Sequence, residues 1–151
     1  MSDYLHILKV TNLAIELYGV DSQEFYVARY HDAVEDGELT LLDISDQLDD
    51  FELPSDKKEE ILTAIDVITR RTEDTYNDYI IKVYDNVFAK NVKVLDLIVN
   101  RFLSGPVPGD LIKRYDKALK FLLGWGLSTL FNCLQSLPKS VKDQITAIVR
   151  G

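Results

Sequence analysis

The stretch NVFAKNVKVLDLIVNRFL, residues 86–103, constrains the fold more than any other part of the chain. Its apolar residues Val92, Val94, Leu95, Leu97, Ile98, Val99 and Phe102 fall on most sides of a helix. A helix that is apolar nearly all round has no face to offer water, so other elements must surround it. Those elements are also helical. Apolar residues recur at helical spacing throughout, and the strict alternation of a half-buried strand is almost absent.

The first helix, carrying Tyr4, Leu5, Leu8 and Ile15, is expected to stop near Gly19. Asp21 or Ser22 caps a second, with Phe25, Val27, Ala28 and Ala33 inside it and its end near Gly37. Thr40 caps a short third helix anchored by Leu42, Ile44 and Leu48, and Pro54-Ser55 opens a fourth with Ile61, Leu62, Ile65 and Ile68 buried. A fifth runs over 74–84, ahead of the central helix. SGPVPG, residues 104–109, reads as a loop. Beyond it DLIKRYDKALKFLL makes a further helix, the chain breaks around Gly124–Gly126, and two short helices are separated near Pro138. The expectation is one all-α domain over residues 1–151, a bundle of about seven to nine helices.

Composition narrows the function. The net charge is −8, with 25 acidic against 17 basic residues and no basic stripe, which argues against duplex nucleic acid as a partner. No run of about 18 uncharged apolar residues is present, so no membrane span is expected. MSDYLHILKV lacks the basic start and apolar run of a signal peptide, and the single cysteine, Cys133, sits among apolar residues like a small core side chain. A reduced, cytoplasmic protein is the expectation.

In RYHDAVEDGELT, residues 29–40, His31 is followed by Asp32, Glu35, Asp36 and Glu38. If the second helix runs to Asp36, His31 and Glu35 are one turn apart, and so are Asp32 and Asp36. At the negative pole of a helix each carboxylate typically costs about 0.3–1 kcal/mol. Nothing basic follows before Lys57, and a bound cation would turn that cost into a binding site. In the central helix, Lys93, Asp96 and Asn100 share one face, and an aspartate there needs a partner because an unpaired buried charge is very costly. The only other histidine, His6, lies one turn before Val10. Together His6, His31, Asp32 and Asp96 would make a four-ligand N/O site.

These motifs, His6 to Val10, His31-Asp32, Val34-Glu35-Asp36 and Lys93 to Asn100, resemble those of the HD-domain metal-dependent phosphohydrolases. Within that superfamily they are most similar to the RelA/SpoT-type and small stand-alone alarmone hydrolases. The likeness spans roughly residues 5–122, where RYDKAL, residues 114–119, resembles the closing helix, and leaves 123–151 as a C-terminal helical extension. The resemblance implies one divalent ion on His6, His31, Asp32 and Asp96, Mn²⁺ in the first place, with Zn²⁺ or Fe²⁺ also suited to mixed N/O ligands. It places Glu35 and Asp36 beside the reacting water and Asn100 on the nucleotide. For Lys93 the shared helical face suggests phosphate neutralisation or support of the carboxylates. The implied activity is hydrolysis of a small phosphorylated nucleotide, foremost removal of the 3′-pyrophosphate of guanosine tetra- or pentaphosphate. The alternatives are a nucleotidase or phosphodiesterase for a 5′-monophosphate, cyclic or other 3′-phosphorylated nucleotide, or a non-catalytic interaction or antitoxin protein on the same fold. Arg70-Arg71 reads as a helix-terminal cation pair, Tyr76 and Tyr79 as packing residues and Trp125 as a core anchor.

Overall fold

The computed structural model describes residues 4–124 and 126–151; Trp125, expected as a core anchor, lies outside them. Among the described residues the chain forms nine helices and no strand. They are α1 (Tyr4–Tyr18), α2 (Gln23–Tyr30), α3 (Leu41–Asp49), α4 (Ser55–Ile68), α5 (Tyr76–Tyr84), α6 (Val87–Phe102), α7 (Gly109–Leu123), α8 (Leu127–Cys133) and α9 (Lys139–Arg150).

α6 is the axis of the molecule, as its all-round apolar sequence requires. It packs against α1, α2, α4, α5 and α7 and buries Val92, Val94, Leu95, Leu97, Ile98 and Val99 together with Asp96. Outside this ring α3 packs on α4, α9 packs on α7, and α8 touches α1. No helix among the described residues is long and apolar enough to cross a membrane.

Local chemistry sets most boundaries. Ser22 Oγ accepts from the Phe25 amide, Thr75 Oγ1 from Asp78 and Asn86 Oδ1 from Ala89, which satisfies amides that a helix start leaves open. Thr40 and Asp43 bond each other's backbone amides in a reciprocal capping box. Gly19, at φ +94°, turns the chain out of α1 in a conformation that side-chain-bearing residues resist.

Four expectations need correction. α2 stops at Tyr30, not near Gly37, and 31–37 are a run of turns. Leu42 is 71 % exposed while Ile44 and Leu48 are fully buried, because α3 presents only one stripe to α4. Cys133 is exposed, since Leu127, Leu130, Leu134 and Leu137 supply the buried side of that segment. On α1 the apolar Tyr4, Leu5 and Leu8 face outward, and His6, Val10, Leu13 and Ala14 face in.

Leu95→Ala, at a fully buried position of the axis, is expected to cost about 2–5 kcal/mol in urea unfolding. Leu42→Ala is expected to stay within about 0.5 kcal/mol.

Candidate metal centre

Asp96 is the buried carboxylate of the site. It is 4 % exposed, in the middle of α6, where an isolated carboxylate is untenable. One turn back on the same helix, Lys93 Nζ donates to Asp96 Oδ2 at 2.8 Å. The ammonium also stands 5.3 Å from the Tyr79 ring centroid. One turn on, Asn100 Nδ2 reaches Oδ1 at 3.4 Å. From α1, His6 Nε2 donates to the same Oδ1 at 2.7 Å. Burial by itself would raise the Asp96 carboxyl, but the Lys93 charge and the two histidines hold it well below the usual carboxylate range.

His31 explains why α2 stops where it does. Its Nδ1–H donates to the Ala28 carbonyl at 2.6 Å, an acceptor that a continuing helix would offer to the Asp32 amide. A carbonyl can only accept, so this bond fixes the ring's orientation and turns Nε2 toward the acidic residues. There Nε2 lies 3.4 Å from Asp32 Oδ2 and 3.3 Å from Asp96 Oδ1. It is buried between the two carboxylates without the alignment of a hydrogen bond to either. Burial pulls the ring toward neutrality, yet Asp96 and Asp32 outweigh it and push His31 up to about 9. Burial also raises Asp32, aided by Asp96 and opposed by His31 and His6.

One nitrogen from each of His6 and His31 and one Asp32 oxygen lie within 4.8 Å of one another. Asp96 Oδ1 adjoins both nitrogens at 2.7 and 3.3 Å. Neighbouring ligands of a first-row divalent ion at about 2.1 Å are about 3 Å apart, so these spacings suit a shared cation. His31 Nε2, held between the two carboxylates, is an atom such a cation would engage. Buried imidazoles with one deep and one half-exposed carboxylate are also a suitable donor chemistry.

The cluster floors a cleft of about 420 Å³. Glu35 and Asp36 stand exposed on its rim, and Glu35 Oε1 accepts the Arg70 amide at 2.7 Å. Lys93 and Asn100 line the wall contributed by α6. Seven of the eight residues singled out in the sequence therefore line one cleft and His31 is buried against two of them, although His31, Asp32, Glu35 and Asp36 are brought there by turns and not by helical stripes. The sequence reading missed the opposite wall. Arg70, Tyr76, Tyr115 and Arg114 line it, with the two guanidinium carbons 5.4 and 4.6 Å from the Tyr76 ring centroid. Arg70 and Arg71 do not act as a pair, for Arg71 turns away to Asp66. Tyr79 is a packing residue whose hydroxyl donates to the Ile68 carbonyl at 2.6 Å. The nearest signal for the missed wall was Arg114 in the RYDKAL segment.

No protein-family model, curated protein or solved structure matches this chain. The meaning of the cluster therefore rests on its geometry and on the sequence pattern.

Two measurements probe the electrostatics. Lys93→Met removes the counter-charge of a buried carboxylate and is expected to cost about 3–5 kcal/mol in metal-free protein. Saturating Mn²⁺ is expected to recover part of that loss. A deficit that Mn²⁺ leaves untouched would argue against an ion at the cluster. In metal-free protein, His31 binds its proton more tightly folded than unfolded. Its contribution to stability is therefore complete below its ordinary value of 6.5 and lost as pH rises through about 9. Thermal melts of wild type and His31→Gln should differ more at pH 6 than at pH 9.5.

Proposed function

We propose that this chain is a metal-dependent phosphohydrolase of the HD-domain kind, acting on a small phosphorylated nucleotide, with the 3′-pyrophosphate of guanosine tetra- or pentaphosphate as the foremost substrate group. The observation that carries this reading is the convergence of His6, Asp32 and Asp96, with His31 buried against them, on a cleft that Arg70 and Arg114 also line. A donor set for a divalent cation facing fixed positive charge is an arrangement for handling phosphate. Overall the chain is acidic, so these cations act locally.

His6, His31, Asp32 and Asp96 would hold the ion. When bound, it would supply a water of lowered pKa and offset the phosphate's charge. The protein's own groups do the rest. Lys93 keeps Asp96 ionised, and the Ala28 carbonyl keeps the His31 Nε2 aimed at the site. Glu35, anchored on the Arg70 amide through one oxygen, has a second oxygen with which to accept a proton from the attacking water. Asp36, beside it on the rim, would relay that proton from Glu35 to the departing oxygen. Arg70 and Arg114 balance charge on the phosphoryl oxygens as the bond to the attacking water forms and the bond to the leaving group breaks. Asn100, reaching into the cleft from α6, is placed to hold the nucleotide sugar or base.

The test is to incubate the protein with Mn²⁺ and guanosine tetraphosphate and separate the products by ion exchange, with Asp32→Ala as control. Release of GDP and pyrophosphate, reduced at least a hundredfold in the variant, is expected. Turnover undiminished in Asp32→Ala would remove the metal site from the reaction. Orthophosphate release or ring opening from other nucleotides, without action on the tetraphosphate, would leave a phosphohydrolase of different specificity.

A further inference from the structure

Beside the metal cleft, between α5 and α7, lies a second and more apolar chamber of about 530 Å³. The two cavities share Tyr76 and Arg114 as lining residues, so they adjoin across that pair. The character of the walls changes across it. On the metal side they are carboxylates, imidazole and cations; on the far side Ile80, Ile81, Ala118 and Phe121 predominate, with Lys117 at their flank.

Three further observations bear on what the chamber receives. Ile81 and Phe121 are 52 % and 47 % exposed, an apolar surface left open next to a charged cleft. Adjoining exposed apolar groups of this kind mark binding surfaces more often than scattered ones do. Tyr76 is held by Arg70 and Arg114 near its ring. Its hydroxyl is buried without a hydrogen-bond partner, within the influence of Lys93, Asp96 and Arg114. A buried hydroxyl without a partner is uncommon and fits a polar group arriving from outside. The dimensions are those of small-molecule sites, which combine an apolar lining with a few convergent polar groups.

We propose that the chamber between α5 and α7 receives the planar, weakly polar end of the substrate, a nucleobase, while the phosphate end lies at the His6–His31–Asp32–Asp96 cluster, with Tyr76 and Arg114 as the threshold between them. Continuity of the chamber with the cleft is the ground for assigning it to the same ligand. The assignment rests on the nucleotide reading given above and adds where selectivity for the base resides. Stacking and apolar contact on Phe121, Ile80 and Ala118 would reward any flat ring. Asn77, exposed at the chamber's edge, offers an amide to the ring's polar atoms.

Methyl NMR of the Mg²⁺-loaded protein separates the two ends of the ligand. Guanosine diphosphate is titrated as the nucleotide probe and inorganic pyrophosphate as the phosphate probe. The expected result is that both perturb the cleft, read in the same samples from the Asn100 side-chain amide, and that only the nucleotide shifts Ile80, Ile81 and Ala118. Asn77→Trp, which fills the chamber's mouth, is expected to weaken the nucleotide at least tenfold and pyrophosphate less than twofold. Phe121→Ala, at a half-exposed position, should do the same without threatening the fold. Silence of the chamber methyls at saturating nucleotide would overturn the proposal, as would equal weakening of both probes by Asn77→Trp. Chamber shifts without turnover of any nucleotide would remove the hydrolase reading and leave the chamber standing. Turnover with a silent chamber would do the opposite.

Discussion

The buried carboxylate of Asp96 organises this protein. Asp96 sits on the helix that every neighbouring element packs against, and its carboxylate must be neutralised from within. Lys93 and Asn100 answer from the same helix, and His6 and His31 from elsewhere in the chain. These demands shape the surroundings. α1 turns His6 inward at the expense of Leu5 and Leu8, which face solvent. α2 ends at the residue whose ring is needed, because the same imidazole that faces Asp96 takes the carbonyl one turn behind it. An all-apolar core would make neither concession, and the concessions place the chemistry.

The charge distribution follows the same logic. A chain of net charge −8 presents a poor surface to any polyanion, yet the cleft gathers Arg70, Lys93 and Arg114 among its lining residues. Much of the acidic excess lies elsewhere, on α3 and the start of α4, where Asp43, Asp46, Asp49, Asp50 and Asp56 are met by only Lys57 and Lys58. Under the proposed function, such segregation would favour a small anion that can enter the cleft over a long one that must lie along the surface.

Much of this was legible in the sequence, for identifiable reasons. The central helix announced itself because its apolar residues cover most sides, and Thr40 and the Asp21-Ser22 pair announced helix starts because such side chains answer amides within three residues. That Asp96 would gather partners was legible because a carboxylate in an apolar helix demands them, and the meeting of His6, His31 and Asp32 with it followed the sequence motifs. The end of α2 was not legible, since it depends on a ring bonding its own backbone and not on any turn-forming residue. The outward face of Leu42 and the exposure of Cys133 escaped for a related reason: periodicity tells that a helix has an apolar side, but which residues win the core is decided by its neighbours. The Arg70–Tyr76–Arg114 wall was illegible because it joins three segments that meet only in three dimensions.

The bond between His6 and Asp96 spans 90 residues of sequence. Closing a loop of that length costs about 4 kcal/mol from the (3/2)RT ln n scaling alone, before any contact repays it. While the chain is being made, α1 emerges long before α6 exists, so its inward histidine waits without the carboxylate it is shaped for. The same holds for the turn after α2. The site is therefore assembled late, with the arrival of the axial helix, and the amino-terminal third of the nascent chain depends on that arrival for the partner that settles its polar face.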